Sequence, residues 1–220
     1  MIKNARNRYK RMFWVVGLVA IASYFSWVFY HKQSLDNEAN RLSNLLNLQP
    51  GAVVAEIGAG NGDLTVRIAQ HIGSSGKIYS TELNPQQLNA IQNNVKKHNL
   101  TNVQVIQGAV DRTNLPPECC DAIFMRGVYH HFTQPEHMNE SLRRSLQPQG
   151  LLAIADFPPN WFSNFWKLEG VSANRGGHGI EKELLIEEVT QAGFEVVQVV
   201  DDWEGNLYNV LFRKPNSSLK

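Results

Sequence analysis

From residue 51 onward, short apolar runs alternate with stretches in which apolar positions recur at helical spacing. The runs, bounded by Gly, Pro, Asn or Ser, read as strands near 52–57 (AVVAEI), 77–82 (KIYSTE), 103–107 (VQVIQ), 120–125 (CDAIFM), 150–156 (GLLAIAD), 194–201 (FEVVQVVD) and 207–213 (LYNVLFR). The periodic stretches between them predict helices near 63–72, 85–98, 135–146 and 181–192. A strand followed by a helix, repeated, is the signature of parallel crossover units, so residues 51–214 should form one α/β domain with a mostly parallel seven-stranded sheet between two helical layers. The last two runs leave no room for a helix. A tight turn through Glu204, Gly205 and Asn206 should pair them antiparallel, making the final strand the exception in the sheet.

The pattern before residue 51 differs. Residues 12–30 (MFWVVGLVAIASYFSWVFY) carry no formal charge and follow a basic cluster of Lys3, Arg6, Arg8, Lys10 and Arg11. At about 1.5 Å rise per residue such a run approaches the roughly 30 Å hydrocarbon core of a bilayer. Phe13 and Trp14 at one end, and Trp27, Phe29 and Tyr30 at the other, suit the two interfaces. The expectation is therefore a basic leader and single-pass membrane anchor over 1–32. A cleaved signal peptide is the competing reading, since Ala20, Ile21 and Ala22 resemble a small-residue cleavage site; a buried core helix is another. Counting basic residues on each side places the globular part across the membrane from the cytoplasm. Residues 33–50 read as a linker and a short helix with Leu42, Leu45, Leu46 and Leu48 on one face, ended by Pro50 and Gly51.

Charge sharpens this division. The net charge of +1 averages two unlike pieces: five of the 21 basic residues form the leading cluster, leaving 16 against 20 acidic residues, a net of −4. A mildly acidic domain gives no electrostatic basis for nucleic-acid binding, and no nucleic-acid partner is expected. Two adjacent cysteines, Cys119 and Cys120, cannot build a disulfide framework and lack the separated pairs of a zinc site. Hydrophobic residues at 43% exclude a disordered chain.

After the first strand comes EIGAGNGDL, with Gly58, Gly60 and Gly62 before Asp63 at a helix start. Glycines let the backbone turn sharply and bring its N–H groups near a ligand without interference from Cβ. The third glycine arrives one position early for the dinucleotide fingerprint GxGxxG. Glu82 ends the second strand, where an acidic side chain can accept hydrogen bonds from ribose hydroxyls. Together these indicate a nucleoside-containing ligand; a glycine turn with no ligand is the plainer alternative.

With those motifs in order, the sequence resembles the class I S-adenosylmethionine-dependent methyltransferases over roughly residues 40–214. VVAEIGAGNGDLT resembles their first motif and IYSTELNP their ribose-binding segment, while GAVDRTNLPPECCDAIFMRGVYHHF and LQPQGLLAIADF resemble the later strand ends. VYHHF and RGGHGIEKELLIEEVTQAGFEV resemble a smaller methyltransferase group, read here as membrane-anchored or exported. The resemblance implies a Rossmann-like three-layer sandwich, S-adenosyl-L-methionine as cofactor, and transfer of its methyl group to a small or lipid-like acceptor. It also implies cofactor contacts by Glu56, Gly58, Ala59, Gly60, Gly62, Glu82, Leu83, Val110, Asp111 and Arg126, with Ala109 beside them. Arginine at position 126 departs from the small or amide residues of the family.

Tyr129, His130 and His131 lie at the end of the fourth strand, the edge where open α/β sheets bind ligands, and are the candidate catalytic residues. A histidine can serve as general base toward an acceptor hydroxyl or amine, or it can simply bond loop backbone. Asp156 ends the fifth strand on the same rim, and His178 sits in the glycine-rich RGGHG. No ligand spacing among these groups compels a metal. Residues 157–175 bring Phe157, Trp161, Phe162, Phe165 and Trp166 together, suiting a hydrophobic acceptor or ordinary packing. Two other functions fit the same motifs: a nucleotide-dependent oxidoreductase, and a non-enzymatic cofactor-binding protein tethered to the membrane.

Overall fold

The computed structural model describes residues 2–159 and 179–216, with side chains from residue 21 onward apart from residues 22 and 28. The chain forms two compact units, Met1–Glu38 and Ala39–Lys220. The first helix, α1 (Ile2–Leu45), is 44 residues long, so residues 33–45 are helical throughout rather than a linker leading to a separate short helix. No glycine or proline occurs between residues 18 and 49 to break it. It ends where Asn47 adopts φ 50°, with Leu48 N–H donating to Ser43 O at 2.9 Å and Asn47 N–H to Asn44 O at 3.1 Å, a Schellman-type cap.

The expected membrane anchor is corrected. Among the described residues no helix is long and apolar enough to cross a membrane. Within residues 21–30 the hydroxyls of Ser23, Tyr24, Ser26 and Tyr30 interrupt the apolar run, and His31 and Lys32 follow at once.

In the second unit the strands are β1 (Val53–Ile57), β2 (Lys77–Glu82), β3 (Val103–Gln107), β4 (Cys120–Arg126), β5 (Leu146–Asp156), β6 (Glu195–Glu204) and β7 (Leu207–Arg213). The helices are α2 (Asp63–Ile72), α3 (Pro85–Lys97), α4 (Pro135–Ser145) and α5 (Lys182–Gln191), with a 3₁₀ turn at Tyr129–His131. The sheet order is β3-β2-β1-β4-β5-β7-β6. β1 pairs in parallel with β2 and β4, β2 with β3, and β4 with β5, whereas β7 is antiparallel to both β5 and β6. This is a Rossmann-like α/β sheet, mostly parallel, with antiparallel pairing at its end.

The central strands are buried because both faces are covered. On one face Ile57, Ile123, Met125, Leu152, Ile154 and Phe212 join Leu142 of α4 and Leu185 and Val189 of α5 in one core. α2 buries Leu64, Val66, Ile68, Ala69 and Ile72. Truncating a fully buried side chain such as Leu142 to Ala should cost about 2–5 kcal/mol.

The elements follow the predicted order with small differences. β5 begins at Leu146, which pairs with Cys120, rather than near 150, and the register shifts before Ala122 pairs with Leu151. β6 and β7 close through a two-residue turn in which Glu204 faces Leu207 and Gly205 takes φ 60°. Cys119 and Cys120 are free thiols at the start of β4; the hydrogen bond between the two thiols and then burial push the Cys120 thiol up. Strand order reverses between β1 and β4. The crevice at the carboxyl ends of these two strands is the place where such sheets bind ligands.

Candidate functional site

Between β1 and α2 the chain turns through Gly58, Gly60 and Gly62, whose φ angles of 70°, 56° and 79° lie in the left-handed region where a Cβ is costly. They differ in what surrounds them. A Cβ on Gly58 would stand 2.5 Å from Val128 Cγ2, one on Gly62 would press on Ile91 at 3.2 Å, and one on Gly60 would meet nothing within 4 Å. Gly58 and Gly62 therefore permit close packing inside the protein, while Gly60 leaves its backbone bare toward open space.

The turn does not offer all its N–H groups to a ligand, as the glycine pattern suggested. Gly58 and Ala59 both donate to Thr81 O, at 3.0 and 2.9 Å, and Gly62 donates to Ala59 O at 2.8 Å. Gly60 N–H donates to Glu82 Oε2 at 2.9 Å. The loop is pinned to the end of β2, and what it presents is side-chain-free surface.

Glu82 is the hinge of this arrangement. Its other oxygen, Oε1, accepts from Leu83 N–H at 2.7 Å and Asn84 N–H at 3.3 Å. A carboxylate has about four lone-pair positions, so three backbone donors orient it and still leave capacity for a hydroxyl. Glu56 is different: it is 4% exposed, accepts from Thr65 Oγ1, and Thr65 in turn bonds Ser80 Oγ at 2.8 Å. It sits beneath the loop, tying β1, α2 and β2 together.

A cavity of about 420 Å³ opens at this edge. From β1, β2, α3 and the loops after β1, β2 and β3 it is lined by Ile57, Gly58, Gly60, Thr81, Glu82, Leu83, Gln87, Gly108, Ala109, Arg112 and Thr113, and from β4, the turn after it and α4 by Arg126, Gly127, Val128, His131, Phe132 and Met138. Of the residues expected from sequence, Gly58, Gly60, Glu82, Leu83, Arg126 and His131 therefore reach the cavity wall. Glu56, Ala59, Gly62, Val110, Asp111, Tyr129 and His130 do not line it. Val110 is 58% exposed on the loop after β3, and Asp111 is held by Arg112 Nη1 at 3.1 Å.

The 3₁₀ turn after β4 sends its three side chains to three places. Tyr129 is fully buried; its hydroxyl donates to Glu188 Oε2 at 3.0 Å and accepts from Asn139 Nδ2 at 2.8 Å, so it locks α4 and α5 to the sheet. His130, 3% exposed, places Nδ1 at 2.9 Å from Asp156 Oδ1, while its backbone N–H donates to Oδ2 at 3.1 Å. His131 is exposed to the cavity, its ring centroid 4.0 Å from that of His130. Gly127, at φ 62°, donates to Ala155 O at 2.8 Å and makes the sharp exit from β4 possible. Among the described residues no group of three metal-ligating side chains comes together. His178 and Trp161, Phe162, Phe165 and Trp166 of the aromatic stretch lie outside the described residues.

The family model described as a methyltransferase domain matches residues 48–211. The chain belongs to that methyltransferase family. It is similar to the ubiquinone/menaquinone biosynthesis C-methyltransferase UbiE of Vibrio campbellii, 26% identical over 110 residues covering 50% of this chain and 42% of that protein. The match thus spans less than half the length of that relative. A solved structure of a SAM-dependent methyltransferase from Aquifex aeolicus superposes with TM-score 0.66 at 23% identity, covering 80% of this chain and 89% of the other. The [4+2]-cyclase SpnF superposes with TM-score 0.67 at 15% identity, covering 83% and 82%. At these identities the solved structures establish the fold.

Within this methyltransferase domain, sequence reasoning missed Gln87, Gly108, Arg112, Thr113, Gly127, Val128, Phe132 and Met138 on the cavity wall. One signal was available: Gly108 and Gly127 each follow a parallel strand at the ligand edge, as Gly58 does. Thr113 and Met138 had none. They reach the wall because the loop after β3 packs on α4, with Thr113 Oγ1 3.1 Å from both Ser141 Oγ and Ser145 Oγ.

Proposed function

We propose that this methyltransferase domain transfers the methyl group of S-adenosylmethionine to a small acceptor with an apolar portion. The observation that carries the reading is the coupling of Gly60 to Glu82: a bare backbone segment and an oriented carboxylate on adjacent strand ends at one wall of one cavity. That cradle fits a nucleoside-containing cofactor, since a side chain at position 60 would fill the space that a sugar needs. The sulfonium of the bound cofactor supplies an activated methyl group, so the protein's task is alignment and proton removal.

The residues divide this task. Glu82 accepts from ribose hydroxyls with its remaining lone-pair capacity, and Leu83, 49% exposed, offers an apolar face to the adenine with Ala109 beside it. Gly60 admits the cofactor close to the backbone, Gly58 lets Val128 pack behind the turn, and Glu56 holds the loop from below through Thr65. Val110 and Asp111 form the rim beyond Ala109, where Asp111 keeps Arg112 in place. Arg126 contributes positive charge at the methionine end. On the far wall Val128, Phe132 and Met138 form the apolar surface for the acceptor, and His131 is the group that takes a proton from it. The relative UbiE is named for a quinone pathway, and a ring-bearing or lipid-like acceptor suits the same wall.

Isothermal titration of the full chain with S-adenosylmethionine tests this. Micromolar binding that weakens in Glu82→Ala is expected. No binding by the wild-type chain, or equal binding by the variant, would sink the proposal. Methyl transfer from labelled donor into a metabolite extract then identifies the acceptor.

A further inference from the structure

Asp156 is completely buried at the end of β5, yet no side chain of basic type neutralises it from within its own strand. Three donors hold it. Oδ1 accepts Phe157 N–H at 2.9 Å and faces His130 Nδ1 at 2.9 Å, and Oδ2 accepts His130 N–H at 3.1 Å. Both oxygens thus act on the turn after β4, one on the ring and one on the backbone of the same residue. A carboxylate has no proton to give, so the short contact requires the proton to sit on Nδ1 of His130. The His130 ring is then fixed in direction as well as in tautomer, between Phe157 at 4.9 Å and His131 at 4.0 Å, centroid to centroid.

From this geometry we propose that Asp156 is the positioning residue of the site. It holds His130 as the Nδ1–H tautomer and, through the packing of one imidazole on the next, aims His131 into the cavity. The inference rests on the assignment of His131 to the acceptor wall. It adds a residue at the end of β5, 26 positions from His130, that sets how His131 is presented. Asp156 touches neither cofactor nor acceptor in this scheme.

The test needs no acceptor. Full-length protein labelled with ¹⁵N at histidine is examined by long-range ¹H–¹⁵N correlation at a pH where the imidazoles are neutral, with His130→Gln and His131→Gln used to assign the two rings. The expected result is a proton on Nδ1 of His130 in the wild type, loss of that preference in Asp156→Ala, and a displaced set of His131 signals in the same variant. Asp156→Asn serves if Asp156→Ala does not fold, because one amide end must then face a donor and the His130 signals must still move. A wild-type His130 carrying its proton on Nε2 overturns the proposal, as do His131 signals unchanged in a folded Asp156 variant. Methyl transfer can stand or fall separately, since these spectra contain neither donor nor acceptor.

Discussion

On the β1–β2 side of the cavity the wall is mostly backbone: two left-handed glycines, Gly58 and Gly60, a carbonyl at Thr81 that accepts two N–H groups, and one carboxylate that accepts three. On the β4–β5 side the wall is side chains, with Arg126, Val128, His131 and Phe132 arranged by a turn whose anchor, Asp156, comes from the next strand. The first side is built from residues close in sequence and tolerates little change, because its contacts are N–H groups and missing Cβ atoms. The second is built across the fold and can change its chemistry by exchanging side chains on a fixed turn. This is the division expected if one side binds a constant cofactor and the other a particular acceptor.

The largest effect should come from the glycines, and it should split them. Gly58→Ala combines a left-handed φ with a Cβ 2.5 Å from Val128, and both the strain and the overpacking are destabilising, about 2–4 kcal/mol together. Gly60→Ala meets no protein atom, so only strain of about 1 kcal/mol should appear in denaturant unfolding. Its damage should fall on S-adenosylmethionine binding instead. Equal loss of stability in both variants would break the distinction between a glycine that packs and a glycine that faces ligand.

Next in size is Glu82→Ala. It removes the acceptor for three backbone N–H groups as well as the proposed ribose contact, and a hydrogen bond to a charged group contributes about 1.5–3 kcal/mol. Affinity for S-adenosylmethionine should fall by roughly 10- to 100-fold. Calorimetry beside a thermal melt separates lost contact from loosened loop.

The acceptor side should respond in the opposite way. His131→Gln should leave cofactor affinity within about twofold while slowing transfer to a proton-bearing acceptor by roughly 10²–10⁴. A variant that loses cofactor binding and keeps its turnover number would place His131 on the wrong side of the cavity.

The same contrast explains what could be read before the fold was known. The strands and helices were legible because the apolar period switches cleanly, and the glycine turn and Glu82 because a local backbone need selects a local residue type. Tyr129 looked catalytic by its place after β4, yet its hydroxyl is turned inward to Glu188 and Asn139; neighbours in a 3₁₀ turn point in different directions, which a linear motif does not express. Asp111 read as a cofactor contact; the structure places it outside the cavity lining, with Arg112 Nη1 3.1 Å from its Oδ1. Met138 and Thr113 reach the cavity only through the packing of α4, which pairs positions far apart in the chain. The leader was misread for another reason: its uncharged run suggested a span, whereas among the described residues no helix is long and apolar enough to cross a membrane.

The smallest expected effect probes the stability of the side-chain-built half. Asn209 of β7 pairs with Ala155 of β5, is 1% exposed, and among the described residues neither its amide nitrogen nor its amide oxygen meets a hydrogen-bond partner. A buried polar group without a partner costs free energy, and an apolar group of similar shape removes that cost. Asn209→Leu should therefore stabilise the ligand-free protein by about 1 kcal/mol in denaturant unfolding. The backbone-built half offers no such gain, because its buried Glu56, Thr65 and Ser80 satisfy one another. Thr65→Val should destabilise by a similar amount, since it removes the hydroxyl that bonds both Glu56 and Ser80. Opposite signs for the two substitutions would support the contrast between a closed polar network under the glycine turn and an open one on β7; a destabilising Asn209→Leu would overturn it.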